Sequence, residues 1–340
     1  MIDLLIAGAG PVGLVTAIHA AQAGLEVAVI EPRSGTIDKA CGEGLMPQTL
    51  EHLRSIGVDA PGLDFVGIRY ISGGKSVDAR FKKQPGRGVR RTTLHEHLKA
   101  RATELNVRFI DGRVSEIVQS EHCVQTAGIR SRYLIGADGL HSTVRNQLNL
   151  EVAPKSTSIQ RFGLRQHFCI SPWSDFVEVY WSSNAEIYVT PVDDQTVGVA
   201  VLGTNKIDFW KIISQFPELN SILSAAKPSS KLRGAGPLRQ AVRARTLSRS
   251  LLVGDASGYV DALTGEGMRI GFEEGKAAVN AVLANDPSSY EEEWLNITRS
   301  YRLLAGGLLW ASSQRFIRPL IVPTAVAFPR VFRQIVNTLG

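Results

Sequence analysis

Residues 3–32 read DLLIAGAGPVGLVTAIHAAQAGLEVAVIEP. An apolar run of strand length enters a glycine turn, an Ala-rich stretch of helical length follows, and a second apolar run ends in an acid. The segment therefore predicts a strand–helix–strand unit. Gly8, Gly10 and Gly13 stand in Gly-x-Gly-x-x-Gly spacing between strand and helix, with Pro11 and Val12 inside the same turn. The first glycine permits the tight turn, the second lets a pyrophosphate approach the backbone, and the third lets helix pack closely on strand. Unpaired N–H groups at the helix start then face the phosphates. Glu31, followed by Pro32 and Arg33, lies eighteen residues beyond Gly13, where a carboxylate accepts hydrogen bonds from ribose hydroxyls and repels a 2′-phosphate. NAD or FAD is favoured over NADP at this site.

Two further loops follow apolar strands. YLIGADGLHSTVR places Asp138 and Gly139 before Ser142 and Arg145, and LLVGDASGYVDALTGEGMRIGFEEG places Gly254 and Asp255 before Gly265, Glu266, Gly267 and Met268. Each alone also suits a solvated strand-end loop. Taken with the first turn, and in this order, the three resemble the flavoprotein superfamily of para-hydroxybenzoate hydroxylase, geranylgeranyl reductase and the flavin-dependent halogenases. The resemblance runs from Asp3 to about residue 300.

It implies an α/β fold: a discontinuous Rossmann-like FAD-binding domain, an inserted antiparallel β-sheet substrate domain and a C-terminal helical segment. On that reading residues 1–70, 88–155 and 246–298 form the FAD-binding domain. Residues 71–87 and 156–245 form the substrate domain, and 299–340 a basic, apolar C-terminal segment. FAD is the implied cofactor, with Asp255 on its ribityl chain and the TGEG glycines at its pyrimidine end. Arg91, in GVRRTTL, holds the family's Arg-x-x-Leu position, and Val114 joins the cofactor-binding set. Asp138 and Gly139 are linked in the family to both FAD and NAD(P)H. No second glycine fingerprint is present, which matches members that use NAD(P)H as a transient reductant.

DKACGEGLMP, residues 38–47, resembles the family segment that runs beside the isoalloxazine ring. Gly42 and Gly44, with Leu45 after them, would let backbone approach a flat ring. Cys41 and Glu43 are the candidate catalytic residues. The thiol either donates a proton or fills space as a small apolar group; Glu43 is either an active acid or part of a solvated loop. Cys41-Gly42 and DALTGEGM point to the geranylgeranyl reductase branch. EIYVTP, with Glu186, Tyr188, Thr190 and Pro191, keeps only the proline of that branch's lipid-tunnel motif, and the halogenase motif is missing.

Elsewhere, Gly73-Gly74 suits a hairpin turn, Thr93 and Glu96 fit a capping box for the helix beginning TTLHEHLKA, and residues 156–202 alternate as an antiparallel sheet does. His95 and His97 read as surface residues, and His141 as orienting its loop. Trp181, Tyr180 and Tyr188 are candidates for the pocket wall. The three cysteines provide neither a disulfide framework nor a metal cluster, so no metal is expected and the redox setting reads as cytoplasmic.

The formal charge of +6 is carried entirely by Arg299, Arg302, Arg315, Arg318, Arg330 and Arg333, in a segment without Lys, Asp or Glu. A nucleic-acid partner is not implied. LLAGGLLWA and LIVPTAVAFP lie between the arginines, so the segment reads either as a helical cover over the core or as a peripheral contact with an anionic membrane. Neither run reaches the roughly 20 apolar residues that span a bilayer.

The expected function is an FAD-dependent oxidoreductase. The leading expectation is an NAD(P)H-dependent monooxygenase acting through a flavin C4a-hydroperoxide on an apolar or aromatic small molecule. The alternatives are a reductase saturating a lipid or quinone double bond and a non-catalytic flavin-binding partner protein.

Overall fold

The computed structural model describes residues 1–153, 160–204 and 207–339. The expected domain boundary at residues 155–156 lies outside them. An eight-stranded sheet runs in the order Thr246–Leu247, Ser250–Leu252, Ile129–Gly136, Ile2–Ala7, Val27–Glu31 and Arg108–Asp111, with two short strands off this path. Four of the five pairings along this path are parallel, all but that of Thr246–Leu247 with Ser250–Leu252. Val27–Glu31 is buried along its whole length, as befits a strand between covering layers.

Ile2–Ala7 pairs with Ile129–Gly136 so that Ala7 faces Gly136, and Gly136 in turn faces Leu252. Parallel strands in register end together. The three glycine-containing loops therefore emerge side by side from the carboxyl edge of one sheet, although they lie more than 100 residues apart in sequence.

A second sheet is ordered Lys227–Pro228, Arg161–Cys169, Thr196–Thr204, Ala185–Asp193, Val177–Trp181, Gly67–Ser72 and Lys75–Arg80. It is antiparallel except where Val177–Trp181 runs parallel to Gly67–Ser72. Residues 67–70, expected with the flavin domain, thus hydrogen-bond into the second sheet, because the Gly73-Gly74 turn carries both arms of its hairpin together. One face packs Phe168, Ile187, Val199 and Val201 against the helices Phe209–Ile213 and Pro217–Ala225. The opposite face is turned toward the first domain.

The helix Arg91–Glu104 starts two residues before the expected cap, and neither Thr93 nor Glu96 caps it. Glu43 does so instead: its Oε1 accepts from the Arg91 N–H at 2.8 Å. Glu96 accepts from Thr36. His95, expected at the surface, is buried between this helix and the first glycine turn. Burial and the neighbouring Arg91 cation lower its pKa, so it is neutral there.

The C-terminal segment folds as helices Ser289–Ser313, Ile321–Ala327 and Pro329–Leu339. Among the described residues no helix is long and apolar enough to cross a membrane. Phe332 packs at a tilt on Tyr70 with ring centroids 4.6 Å apart, and Asn337 exchanges hydrogen bonds with Arg80 and Lys82, which fixes the last helix to Lys75–Arg80.

Candidate active site

One continuous cavity of about 1070 Å³ begins at the glycine turn, passes the CGEG stretch and ends at the C-terminal helices. Gly8, Gly10, Pro11, Val12, Glu31, Pro32, Arg33, Cys41, Gly42, Glu43, Gly44, Arg91, Val114, Asp138, Gly139, Gly254, Asp255, Gly265, Gly267 and Met268 all reach its wall. Gly13, Leu45 and Glu266 do not. A Cβ on Gly13 would lie 2.0 Å from the Gly8 carbonyl oxygen, so this glycine serves helix-on-strand packing. Leu45 is in the core. Glu266 is buried against Arg269, and burial pushes its pKa up to about 7.

Several features suit a phosphate-bearing dinucleotide. A Cβ on Gly10 would meet no atom within 4 Å, so the cradle before the helix is open. Arg91 Nε is buried without an acceptor among the described residues, while Nη1 reaches only the Met268 sulfur at 3.7 Å. Such a guanidinium seeks an anion. No donor among the described residues reaches the Asp255 carboxylate. Burial raises its pKa while Lys39, Arg91 and Arg145 oppose the rise, so a hydroxyl-rich ligand segment has a ready acceptor.

Glu31 is less open. It accepts from the Ala9 N–H at 2.9 Å and three times from Arg33. Burial alone would raise its pKa, but these donors outweigh it and hold the carboxylate ionised. Ribose binding here requires the half-exposed Arg33 guanidinium to swing aside. Asp138 is likewise engaged, accepting from Ser142 Oγ at 2.5 Å and from the Val144 N–H at 3.1 Å. Arg145, wholly buried, ties that loop to the next through Leu140 and Ala256 carbonyls and Gln240. The Asp138 motif thus holds the loops in place, with Gly139 beside the cavity.

Around CGEG, Cys41 is half-buried at the cavity wall, and its sulfur accepts from the Glu43 N–H. A Cβ on Gly42 would meet nothing within 4 Å, whereas one on Gly44 would touch Phe65 and Val177. Only Gly42 leaves room for a flat ring. Thr190 Oγ1 donates to the Gly42 carbonyl at 2.8 Å, so the second sheet holds this turn. Glu43 is buried; Oε1 accepts from Arg91 and Oε2 lies 2.6 Å from His167 Nε2.

Beyond this stretch the wall is apolar. Ile68, Val177, Val179 and Leu202 come from the second sheet, and Ile321 and Phe332 from the C-terminal helices. Tyr188 is there as expected, but its hydroxyl donates to the Leu263 carbonyl, and burial raises its pKa well above the usual value. Tyr180 and Trp181 do not line the cavity. Residues alternate across a strand, so Tyr180 points to the other face, beside Glu178 and Phe216. Trp181 lies past the cavity end, against Tyr70 and Arg318.

Lys39 and the C-terminal helices were not anticipated as cavity wall. Lys39 adjoins the CGEG signal but belongs to no motif, and burial lowers its pKa while Asp255 resists this. Nor did the sequence anticipate a buried ionic cluster behind the apolar wall. Arg161 lies 2.5 Å from Glu186 and 3.0 Å from Asp261, and Arg318 lies 2.7 Å from Glu186. Arg318, expected in a basic surface, is inside the protein because Glu186 and three backbone carbonyls receive it.

These features define a dinucleotide-binding redox protein whose cofactor site opens directly into an apolar chamber. The chain belongs to the FAD binding domain family, whose profile matches residues 1–64 and 100–280. It is an FAD-dependent oxidoreductase with the para-hydroxybenzoate-hydroxylase-like fold. It is 24% identical to a menaquinone reductase of Mycobacterium tuberculosis, over 84% of this chain and 77% of that protein. It is 26% identical to a digeranylgeranylglycerophospholipid reductase of Methanosarcina acetivorans, over 87% of this chain and 81% of that protein. Among solved structures, p-nitrophenol 4-monooxygenase from Pseudomonas putida superposes with a TM-score of 0.82 at 17% identity, covering 99% of this chain and 96% of that one.

Proposed function

We propose that the protein is a flavin-dependent reductase that saturates a carbon–carbon double bond in a long apolar substrate, of the isoprenoid lipid or quinone type. The observation that carries this reading is the uncharged wall beyond CGEG. Among the described residues, no Asp, Glu, Lys, Arg or His from the second sheet or the C-terminal helices reaches the cavity. Such a wall favours hydrocarbon and offers no ion pair to a phenolate or acid. The two reductases matched over most of the chain support the same reading.

Bound FAD supplies hydride equivalents at its ring. The chain contributes the rest. Gly42 leaves space for close approach, the apolar wall excludes water from the double bond, and Cys41 is the only thiol at the cavity wall among the described residues. Saturation adds a hydride to one alkene carbon and a proton to the other. We assign the proton to the Cys41 thiol, which is reprotonated from solvent through the cavity mouth. NAD(P)H is the proposed reductant of the cofactor.

Hydroxylation, the leading expectation from sequence, differs in needing O2. The test is turnover of an isoprenoid quinone or unsaturated prenyl lipid under strict anaerobiosis with NAD(P)H or dithionite. Product two mass units heavier at an undiminished rate is expected. A requirement for O2, with product sixteen mass units heavier, would establish hydroxylation instead.

A further inference from the structure

The last helix, Pro329–Leu339, and Phe328 just before it turn a row of apolar residues to the cavity, part of it buried and part exposed. Phe332 and Val336 are buried on Val77 and Ala79. Phe328, Val331 and Ile335 lie on the same side at helical spacing and line the cavity, yet are 60%, 54% and 42% exposed. The apolar cavity therefore opens to the outside through this helix, and its rim is itself apolar. Leu320 and Phe316 extend the exposed surface, Phe316 being 86% exposed.

Arg315, Arg330 and Arg333 are exposed in the same segment, Arg330 and Arg333 on the flank of the helix next to the apolar stripe. No acidic residue lies between Arg299 and Gly340 to neutralise them. The folded structure also separates these arginines from Arg318, which is paired inside.

We propose that this rim docks on an anionic lipid bilayer, with Phe316, Leu320, Phe328 and Val331 entering the headgroup boundary and Arg315, Arg330 and Arg333 against lipid phosphates. Exposed apolar side chains in a segment whose cations no acid of that segment neutralises complement a surface that is anionic above and hydrocarbon beneath. A second copy of this chain would instead bring arginines against arginines. The docking surface is independent of which reaction the cofactor carries out.

Truncating the segment is a poor test, because it also removes Arg318 from buried Glu186. The test is co-sedimentation of the full FAD-bound chain with vesicles of phosphatidylcholine alone or mixed with phosphatidylglycerol. Binding tighter by about tenfold or more on the anionic vesicles is expected, and it should weaken with added salt. Arg330→Glu/Arg333→Glu should abolish that preference, and Phe328→Ser/Val331→Ser should abolish binding, both with the flavin absorbance intact. Failure of the parent protein to bind anionic vesicles would overturn the proposal. So would equal binding to both vesicles, binding unaffected by either variant, or a dimer in sedimentation that Phe328→Ser/Val331→Ser dissolves.

Discussion

The carboxylate of Glu43 lies 2.6 Å from Nε2 of His167, joining the CGEG turn of the first domain to a central strand of the second. Arg165 Nη1, which can only donate, is 3.1 Å from His167 Nδ1. The imidazole thus accepts at Nδ1 and donates from Nε2 to Glu43. Glu43 also caps the helix Arg91–Glu104, so one side chain secures both the cofactor-side helix and the contact between sheets.

From this arrangement the expected role of Glu43 is positioning, with both carboxylate oxygens already engaged. Glu43→Ala leaves the His167 N–H and the helix start unpaired and is expected to cost about 2–4 kcal/mol in urea unfolding. Glu43→Gln should keep FAD bound and lose less than the roughly 100-fold in turnover that deleting an acid–base group produces. A larger loss in a variant of unchanged stability would give Glu43 a direct chemical role.

Gly10 and Gly13 should separate binding from folding. Gly13→Ala places a methyl 2.0 Å from the Gly8 carbonyl, and soluble, folded protein is expected to fall sharply. Gly10→Ala has free space, so its melting temperature without FAD should match the parent. The methyl narrows the phosphate cradle, and flavin titration should show affinity reduced about tenfold or more, a loss of about 1.4 kcal/mol. Unchanged affinity would place the pyrophosphate elsewhere.

The cluster behind the chamber predicts a second stability effect. Arg318→Ala leaves Glu186 with Arg161 alone and removes donors from three carbonyls. Breaking a buried pair by removing one partner costs about 3–5 kcal/mol. Glu186→Gln combined with Arg318→Ala should recover part of that loss. Denaturant midpoints of the two single variants and the double variant measure the coupling, and simple additivity would show that the pair does not interact.

Glu274 ties Gly254 and Ser257 together from the buried side of the helix Gly267–Leu283. Burial raises its pKa from the ordinary 4.5 to about 8. A group raised on folding holds more protons in the folded state across that window. Its stabilising contribution is therefore present below about pH 4.5 and is lost as pH rises through about 8. Glu274→Gln removes this dependence, so the stability of the variant relative to the parent should rise from pH 5 to pH 8, by at most about 1.4 kcal/mol per pH unit. A pH-independent difference would argue against a protonated Glu274.

The two domains differed in how far the sequence could be read. The glycine turn was legible because a tight strand-to-helix turn restricts residue type at adjacent positions, and Asp138-Gly139 and Gly254-Asp255 because, with it and in that order, they resemble the motifs of a flavoprotein superfamily. Glu31 was found by its spacing from the glycine turn and the Asp138 loop by its resemblance to a family motif, although the network that engages them was not. Tyr180 and Trp181 were misplaced because the face a strand residue occupies depends on pairing register, and the position along a cavity on where its neighbours end. His95 was misread because a polar residue carries no local sign that the distant glycine turn covers it.

Local residue choice thus determined the strand–turn–helix units and the glycine turn of the dinucleotide site, since those contacts lie within a few residues of one another. Tertiary structure alone decided that Glu43 meets His167, that Arg318 leaves the basic surface to pair with Glu186, and that the C-terminal helices wall the chamber. Each depends on residues more than 100 positions apart, whose meeting is selected by the packing of sheets and helices and leaves no local pattern.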